Sequence, residues 1–266
     1  MKNNTTVALI ITTYNWHQAL ELVLLSVKNQ SYMPNEVIVA DDGSTDETKE
    51  LIKTFQQNFP TKLIHLWHED KGFRRSAVLN MAFSKTDSQY LIQLDGDCII
   101  HKDFIKDHMN HAEKDTFLFG SRVSIQKSFL PTLFDNKIIR FSFFAKGIKK
   151  RTRNLRILLL SNQYKRKNEL SKKLRGCNLS FWKEDIIAIN GYNEDMEGWG
   201  REDSEMIIRL LNKGVLGKRL RYCGIIYHIY HLEKSKSRLD LNDEIQQNSI
   251  KNKSTWCENG IDKYLF

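Results

Sequence analysis

The sequence predicts an α/β fold in which a Rossmann-like, mostly parallel sheet is flanked by helices. Three observations carry this. Short apolar runs, Val7-Ala8-Leu9-Ile10-Ile11, Val37-Ile38-Val39-Ala40 and Tyr90-Leu91-Ile92, alternate with segments of helical period. The first two are apolar at every position, as parallel strands covered on both faces are. Each run stops at a polar or acidic turn, and ligands bind open α/β sheets at such carboxyl ends.

Taken in order, the first strand covers 7–11 and ends at Thr12-Thr13-Tyr14-Asn15. Residues 16–30 place Leu20, Val23, Leu24 and Val27 on one helical face. Pro34 breaks the chain before a second strand, 37–40, which ends in Asp41-Asp42-Gly43-Ser44-Thr45-Asp46. Thr45 or Asp46 caps the helix that follows. Residues 63–66 form a third strand, 74–83 a helix with Ala77, Val78, Met81 and Ala82 inward, and 90–94 a fourth strand. That strand stops at Asp95-Gly96-Asp97. Beyond it the rhythm weakens to a helix over 104–111 and strands over 117–120 and 123–125. An amphipathic helix over 202–212 is closed by Lys213-Gly214, and the last clear element lies within 222–230. From 234 onward the chain reads as a helix and a loose tail.

A chain of 266 residues, 41% hydrophobic, suits one large domain, or one domain with a substantial insertion, and argues against global disorder. No window is apolar enough to span a bilayer. Met1-Lys2-Asn3-Asn4 leads straight into a strand, without the apolar region of a signal peptide. Cys98, Cys177, Cys223 and Cys257 are scattered, which argues for a reducing cytoplasm and against a zinc site or disulfide framework. The formal charge of +9 is local. Residues 137–175 hold fourteen Lys or Arg against one acid, Glu169, a surplus of thirteen, so the remainder of the chain is net −4.

Asp95-Gly96-Asp97 is a D-x-D pair. Alternate residues of a strand face opposite ways, but a turn at Gly96 brings both carboxylates to one ligand. Carboxylates with phosphate oxygens suit Mg²⁺ or Mn²⁺. An isolated pair would more simply be a turn. Placed after a buried strand, it points to a metal and a phosphate. Asp41 and Asp42 are more acid than a helix cap needs, and one carboxylate there suits a ribose or a base N–H. Tyr14 is placed to stack on a base or to enter the core. No G-x-G-x-x-G is present, so a dinucleotide fingerprint is absent.

In order, spacing and strand-end placement, these stretches resemble the inverting GT-A glycosyltransferases of glycosyltransferase family 2, over roughly the first half of the chain. The resemblance implies a GT-A fold with a C-terminal acceptor-binding region. It implies that Thr12, Tyr14 and Asp42 hold a nucleotide, usually UDP, that Asp95 lies near the ribose, and that Asp97 binds the metal. Gly72-Phe73-Arg74-Arg75-Ser76-Ala77-Val78-Leu79-Asn80 is similar to segments of β-1,4-galactosyltransferases and chondroitin-polymerase-like enzymes. On that match Arg75, or Arg74, faces the donor diphosphate, a bidentate task suited to arginine. Gly198-Trp199-Gly200-Arg201-Glu202-Asp203 resembles the W-G-x-E-D motif of the same enzymes. There the aspartate is the base and the glutamate holds the acceptor, implying Asp203 as base and Glu202 with Trp199 on the acceptor. Retaining relatives carry Asn at the aspartate, so Asp203 implies inversion. Gly176-Cys177-Asn178-Leu179-Ser180 resembles the strand before that motif, with a structural or acceptor-lining role. Tyr227-His228-Ile229-Tyr230-His231 lies where related enzymes complete the metal site, so His228 or His231 is the remaining ligand.

The resulting division is a nucleotide-sugar half, 1–125, a basic amphipathic insertion, 126–175, an acceptor-binding and catalytic half, 176–233, and a tail, 234–266. The insertion reads as a solvated face, a nucleic-acid patch or a surface for anionic lipid. It carries no base-reading motif, which speaks against nucleic acid. The expected function is metal-dependent transfer from a UDP-sugar to a glycan or lipid-linked glycan, in the cytoplasm or on the inner face of the membrane. The alternatives are a pyrophosphorylase-like nucleotidyltransferase and a non-catalytic adaptor.

Overall fold

A computed structural model describes residues 5–232 and 238–265. The reading of Met1-Lys2-Asn3-Asn4 and the boundary at 233/234 lie outside the described residues. In chain order the elements are β1 (Val7–Thr13), α1 (His17–Lys28), β2 (Glu36–Asp41), α2 (Asp46–Gln56), β3 (Lys62–Trp67), α3 (Arg75–Lys85) and β4 (Tyr90–Asp95). Then come β5 (Cys98–Ile100), α4 (Phe104–His111), β6 (Thr116–Gly120), β7 (Arg122–Ile125), α5 (Leu130–Asp135), β8 (Ile148–Lys149) and α6 (Leu158–Ser161). The chain closes with β9 (Asn178–Trp182), α7 (Lys183–Ala188), α8 (Glu202–Asn212), β10 (Leu216–Leu220), β11 (Ile226–His228) and α9 (Leu239–Lys251).

Among the described residues, seven strands form the central sheet in the order β10-β6-β9-β4-β1-β2-β3. β1 sits between β2 and β4, parallel to both, so Thr13 lies beside Asp41 and Thr12 beside Asp95. The register alone brings the ends of three strands to one edge. Alternation along β1 explains its unbroken apolar run. Val7, Leu9 and Ile11 join Leu20, Val23, Leu24 and Val27 of α1 on one side. Ala8 and Ile10 join Val78, Leu79, Ala82 and Phe83 of α3 on the other. β9 runs antiparallel to both β4 and β6, which makes the sheet mixed at that point.

The weak rhythm after residue 97 has a structural cause. β6 returns to the central sheet, but β5, β11, β7 and β8 form a separate four-stranded sheet. Strands of two to four residues are too short to show a period in sequence. This sheet packs on α1 through Ala19, Leu22, Ile99, Val123 and Tyr227, so α1 is buried between two sheets.

Of the helix and loose tail expected from 234 onward, the helix forms as α9, but the residues after it are docked rather than loose. α9 packs on α8, with Asn242 donating to Gly200 O at 2.9 Å and Gln246 donating to Ser204 Oγ at 2.6 Å. Past α9, Ile261 is fully buried in the core with α3, and its N–H donates to Asn190 O at 3.0 Å. The polar composition misled because α9 meets the core through amide hydrogen bonds rather than an apolar stripe. The four cysteines are free and buried. No helix among the described residues is long and apolar enough to cross a membrane.

Since Ile261 is sealed from water, Ile261→Ala should cost about 2–5 kcal/mol, read as a fall in the urea midpoint at constant slope. A change below about 0.5 kcal/mol would mean the end of the chain is not docked.

Candidate active site

The D-x-D turn is held against β1 by its glycine. Gly96 N donates to Thr12 O at 2.7 Å, and a Cβ on Gly96 would come within 2.8 Å of that oxygen. The two acids then part. Asp95 Oδ1 accepts from Thr12 Oγ1 at 3.1 Å and from Arg75 Nη2 at 2.9 Å. Burial opposes ionisation of Asp95, but the charge and hydrogen bond of Arg75, together with His228 and Thr12, outweigh it and hold the carboxyl below its usual range.

Asp97 turns to the second sheet. β5 pairs antiparallel with β11 so that Cys98 lies beside His228, and Ile229 N donates to Asp97 O at 2.9 Å. Asp97 Oδ2 then stands 3.6 Å from His228 Nε2 and 3.3 Å from His231 Nε2. One ligand atom from each of Asp97, His228 and His231 falls within 4.8 Å of the others. Where the sequence left a choice between the histidines, the structure brings both. One carboxylate and two imidazoles form a donor set that suits a divalent transition ion. Burial lowers the pKa of His228 despite Asp97 beside it, which keeps a lone pair available.

Arg75 opens α3, and its side chain is 10% exposed. Nη1 reaches Asp203 Oδ1 at 3.0 Å while Nη2 holds Asp95, and Glu202 Oε1 lies 3.8 Å from Nη1. Burial works against this charge, but Asp203 and Asp95 more than reverse it, so Arg75 stays a cation. Asp203 is thus tied to the D-x-D edge. Its Oδ1 also accepts from the Tyr192 hydroxyl at 2.7 Å and lies 3.4 Å from Gln93 Nε2. Burial, and then Asp203, raise the pKa of Tyr192, so its hydroxyl remains a donor. Oδ2 receives no hydrogen bond from the described residues and lies over Gly176, where a Cβ would fall 1.8 Å away.

Glu202 is buried, with Oε2 accepting from Gly200 N at 2.9 Å. Arg201 and Gly200 adopt positive φ, 76° and 114°, so the loop makes a sharp left-handed entry into α8. Trp199 beside it is 42% exposed. Burial, and then Asp203, raise the Glu202 pKa to about 7.

The ends of β1 and β2 complete the edge. Asp42 Oδ1 pairs with His68 Nε2 at 2.7 Å and Oδ2 accepts from Arg74 N at 3.0 Å. Asp41 pairs with His65 Nε2 at 2.8 Å and accepts from Ser44 N at 2.9 Å. Tyr14 is 42% exposed and donates to Asp70 Oδ2 at 2.9 Å. In the Gly176–Ser180 stretch, Asn178 and Ser180 are fully buried and hold His108, at 3.1 and 2.7 Å, so these two side chains are structural.

Sequence reasoning missed Tyr192 and Gln93. Gln93 did leave a signal, a polar residue within the buried run of β4. Tyr192 left none, since its hydroxyl reaches the site only because Asn80 clamps its backbone. Asn80 accepts from Tyr192 N at 2.8 Å and donates to Tyr192 O at 2.9 Å.

Residues 8–170 match the family described as glycosyl transferase family 2, and residues 156–232 match the N-terminal domain of galactosyltransferase. The chain is 25% identical over 232 residues to a chondroitin synthase of Escherichia coli, covering 78% of this chain and 32% of that protein. It therefore spans about a third of that relative's length. Among solved structures, S. aureus TarS 1-349 in complex with UDP superposes with a TM-score of 0.63 at 18% identity, covering 98% of this chain and 70% of that one. A mannosyltransferase from Pyrobaculum calidifontis in complex with GDP-Man and Mn²⁺ gives 0.58 at 19% identity, covering 84% and 56%. At these identities the likeness speaks to the fold, a mixed α/β domain of the GT-A type.

The raised Glu202 pKa has a sign that can be measured. An unfolded chain releases this proton near 4.5 and the folded chain near 7, so between these values the folded state holds the extra proton. The stability it contributes is complete below pH 4.5 and is lost as pH rises through about 7. Between about pH 5 and pH 8 the wild type should therefore lose more stability than Glu202→Gln, in paired urea titrations. Parallel profiles would mean that Glu202 titrates as an ordinary carboxyl.

Proposed function

The chain belongs to glycosyl transferase family 2, and on that premise we propose that it is a metal-dependent inverting glycosyltransferase. It moves a hexose or N-acetylhexosamine from a UDP-sugar to a hydroxyl of a glycan acceptor, in the synthesis of a cell-surface polysaccharide or lipopolysaccharide. One observation carries the reading: Arg75 joins Asp95, at the nucleotide edge, to Asp203, at the head of α8. A donor bound at the strand ends and an acceptor base then face one another. Family membership favours this over nucleotidyl transfer and over a non-catalytic adaptor.

On this reading Thr12, Tyr14, Asp42 and Asp95 line the nucleoside. Asp97, His228 and His231 would hold a divalent cation, Mn²⁺ or Mg²⁺, and such an ion supplies positive charge against the diphosphate. Asp203 Oδ2 takes the proton of the acceptor hydroxyl. The freed oxygen bonds to the anomeric carbon from the face opposite the nucleotide as the bond to UDP breaks, inverting that centre. Arg75, Tyr192 and Gln93 load Oδ1, which fixes the carboxylate and leaves Oδ2 for the proton. Arg75 also adds fixed positive charge at this edge. Trp199 and Glu202 form the acceptor side.

Phe144 and Leu159, 84% and 83% exposed among the lysines of 137–175, suit contact with an anionic membrane when the acceptor is lipid-linked.

Asp203→Asn should bind UDP as the wild type does yet lose transfer by about 10²–10⁴-fold. Retained turnover would move the base elsewhere. A panel of UDP-sugars scored for Mn²⁺-dependent release of UDP should identify the donor and be silenced by chelation. His231→Ala and His228→Ala should each weaken Mn²⁺ by more than the roughly 10–100-fold that losing an outer-shell partner costs. Unchanged metal dependence in both would remove the metal from this triad.

A further inference from the structure

The reaction leaves one group of charges unused. Arg122, Lys150, Arg153, Arg175, Arg219 and Arg221 come from separate stretches of chain and converge beside the second sheet. Arg153 Nη1 donates to Arg122 O at 3.0 Å, and Arg219 Nη2 donates to Ser121 Oγ at 3.2 Å. Two guanidinium groups therefore meet at residues 121–122. Among the described residues, none of the six has a carboxylate within ion-pair distance. Nearby cations are treated differently. Arg156 forks onto Asp107 at 2.7–3.2 Å, and Lys218 reaches Glu113 at 2.6 Å. The fold thus neutralises cations where they serve the structure and leaves these six without a counter-charge.

The arrangement is costly. Burial, and then Arg219, Arg221, Arg175 and Arg122, lower the pKa of Arg153. Lys150 is lowered by burial and by Arg153, Arg122 and Arg175. Arg219 Nε is buried and has no hydrogen-bond partner. A buried N–H without an acceptor, among crowded like charges, is relieved by an anion.

Position says which anion. Arg122 lies on β7 two residues before Ser124, the neighbour of His228. Arg175 precedes Gly176, the residue against which Asp203 lies. The cluster therefore borders, through Arg122, the strand beside His228 and, through Arg175, the glycine under Asp203. We infer that these six side chains form a binding site for the carboxylate or phosphate groups of an acidic acceptor glycan. The inference rests on the acceptor side proposed above and names its chemical class. Arg122, Arg153, Arg219 and Arg221 are half-buried, which suits discrete anionic groups better than a flat lipid surface.

The test is direct binding to the full chain, which needs no turnover. Probes are a fluorescent uronic-acid-containing hexasaccharide, its carboxyl-reduced neutral counterpart, a phosphodiester-linked glycan oligomer and phosphatidylglycerol vesicles. At low salt at least one acidic oligosaccharide should bind about tenfold or more tightly than the neutral one, and high salt should weaken it. Arg153→Gln with Arg221→Gln should abolish the preference, and Lys150→Gln, at an exposed position, should reduce it in a gentler background. Affinity for UDP with Mn²⁺ should stay unchanged in all variants. Equal binding of acidic and neutral oligosaccharides overturns the inference. So does a parallel loss of UDP binding, which would assign the cluster to the donor, or a loss confined to vesicles, which would assign it to lipid. A chain that binds the acidic glycan but transfers no sugar sinks the proposed reaction and leaves this site standing.

Discussion

The Arg75 guanidinium is the constraint on which the site depends. It is almost wholly buried, and its two Nη atoms hold Asp95 and Asp203, carboxylates 108 positions apart in sequence, with Glu202 close by. A buried cation is tolerated only if it is paired and hydrogen-bonded, and removing one partner of such a pair costs about 3–5 kcal/mol. That energy fixes the distance between the D-x-D edge and the head of α8. Burial, and then Asp203 in the same cluster, drive Glu202 toward its neutral form against the pull of Arg75. Of the three acids around Arg75, Glu202 is sealed from water, and that burial makes it the one that takes up a proton.

Around this pair the fold assembles two supports. The second sheet is small, but it sets the β5–β11 register that turns Asp97 away from Asp95 and toward two histidines. Adjacent acids of one motif thereby acquire different partners. On the other side α9 holds the Gly198–Trp199–Gly200 turn through Asn242, which donates to both Glu197 O and Gly200 O. A polar helix at the end of the chain thus braces the loop that presents Trp199 and Glu202.

The inferred glycan site belongs to the same architecture. The basic stretch 137–175 does not stand apart as a charged surface. Tyr227 donates to Asn154 Oδ1 at 2.6 Å, and Phe141 stacks near Tyr227 at 4.6 Å between ring centroids. Phe141 and Ile148 anchor it on the second sheet, and this fastening brings Arg153 to Arg122 on β7.

Much was legible in the sequence because it was local. Continuous apolar runs reported strands covered on both faces, and acids at their ends reported a ligand edge. The helix over 202–212 was legible from its own amphipathic period and its glycine stop. By itself, then, the sequence determined the α/β class, the strand ends and the family likeness, since these follow from side-chain period and short motifs. What it could not carry was pairing over long separations. That both His228 and His231 face Asp97, that Arg75 bridges Asp95 to Asp203, and that Tyr192, Gln93 and Gly176 shape the carboxylate were decided only by tertiary structure. The physical reason is that strands of two to four residues, a polar helix docked by amide hydrogen bonds and a bare glycine Cα under a carboxylate leave no periodic trace, and take their meaning from what packs against them.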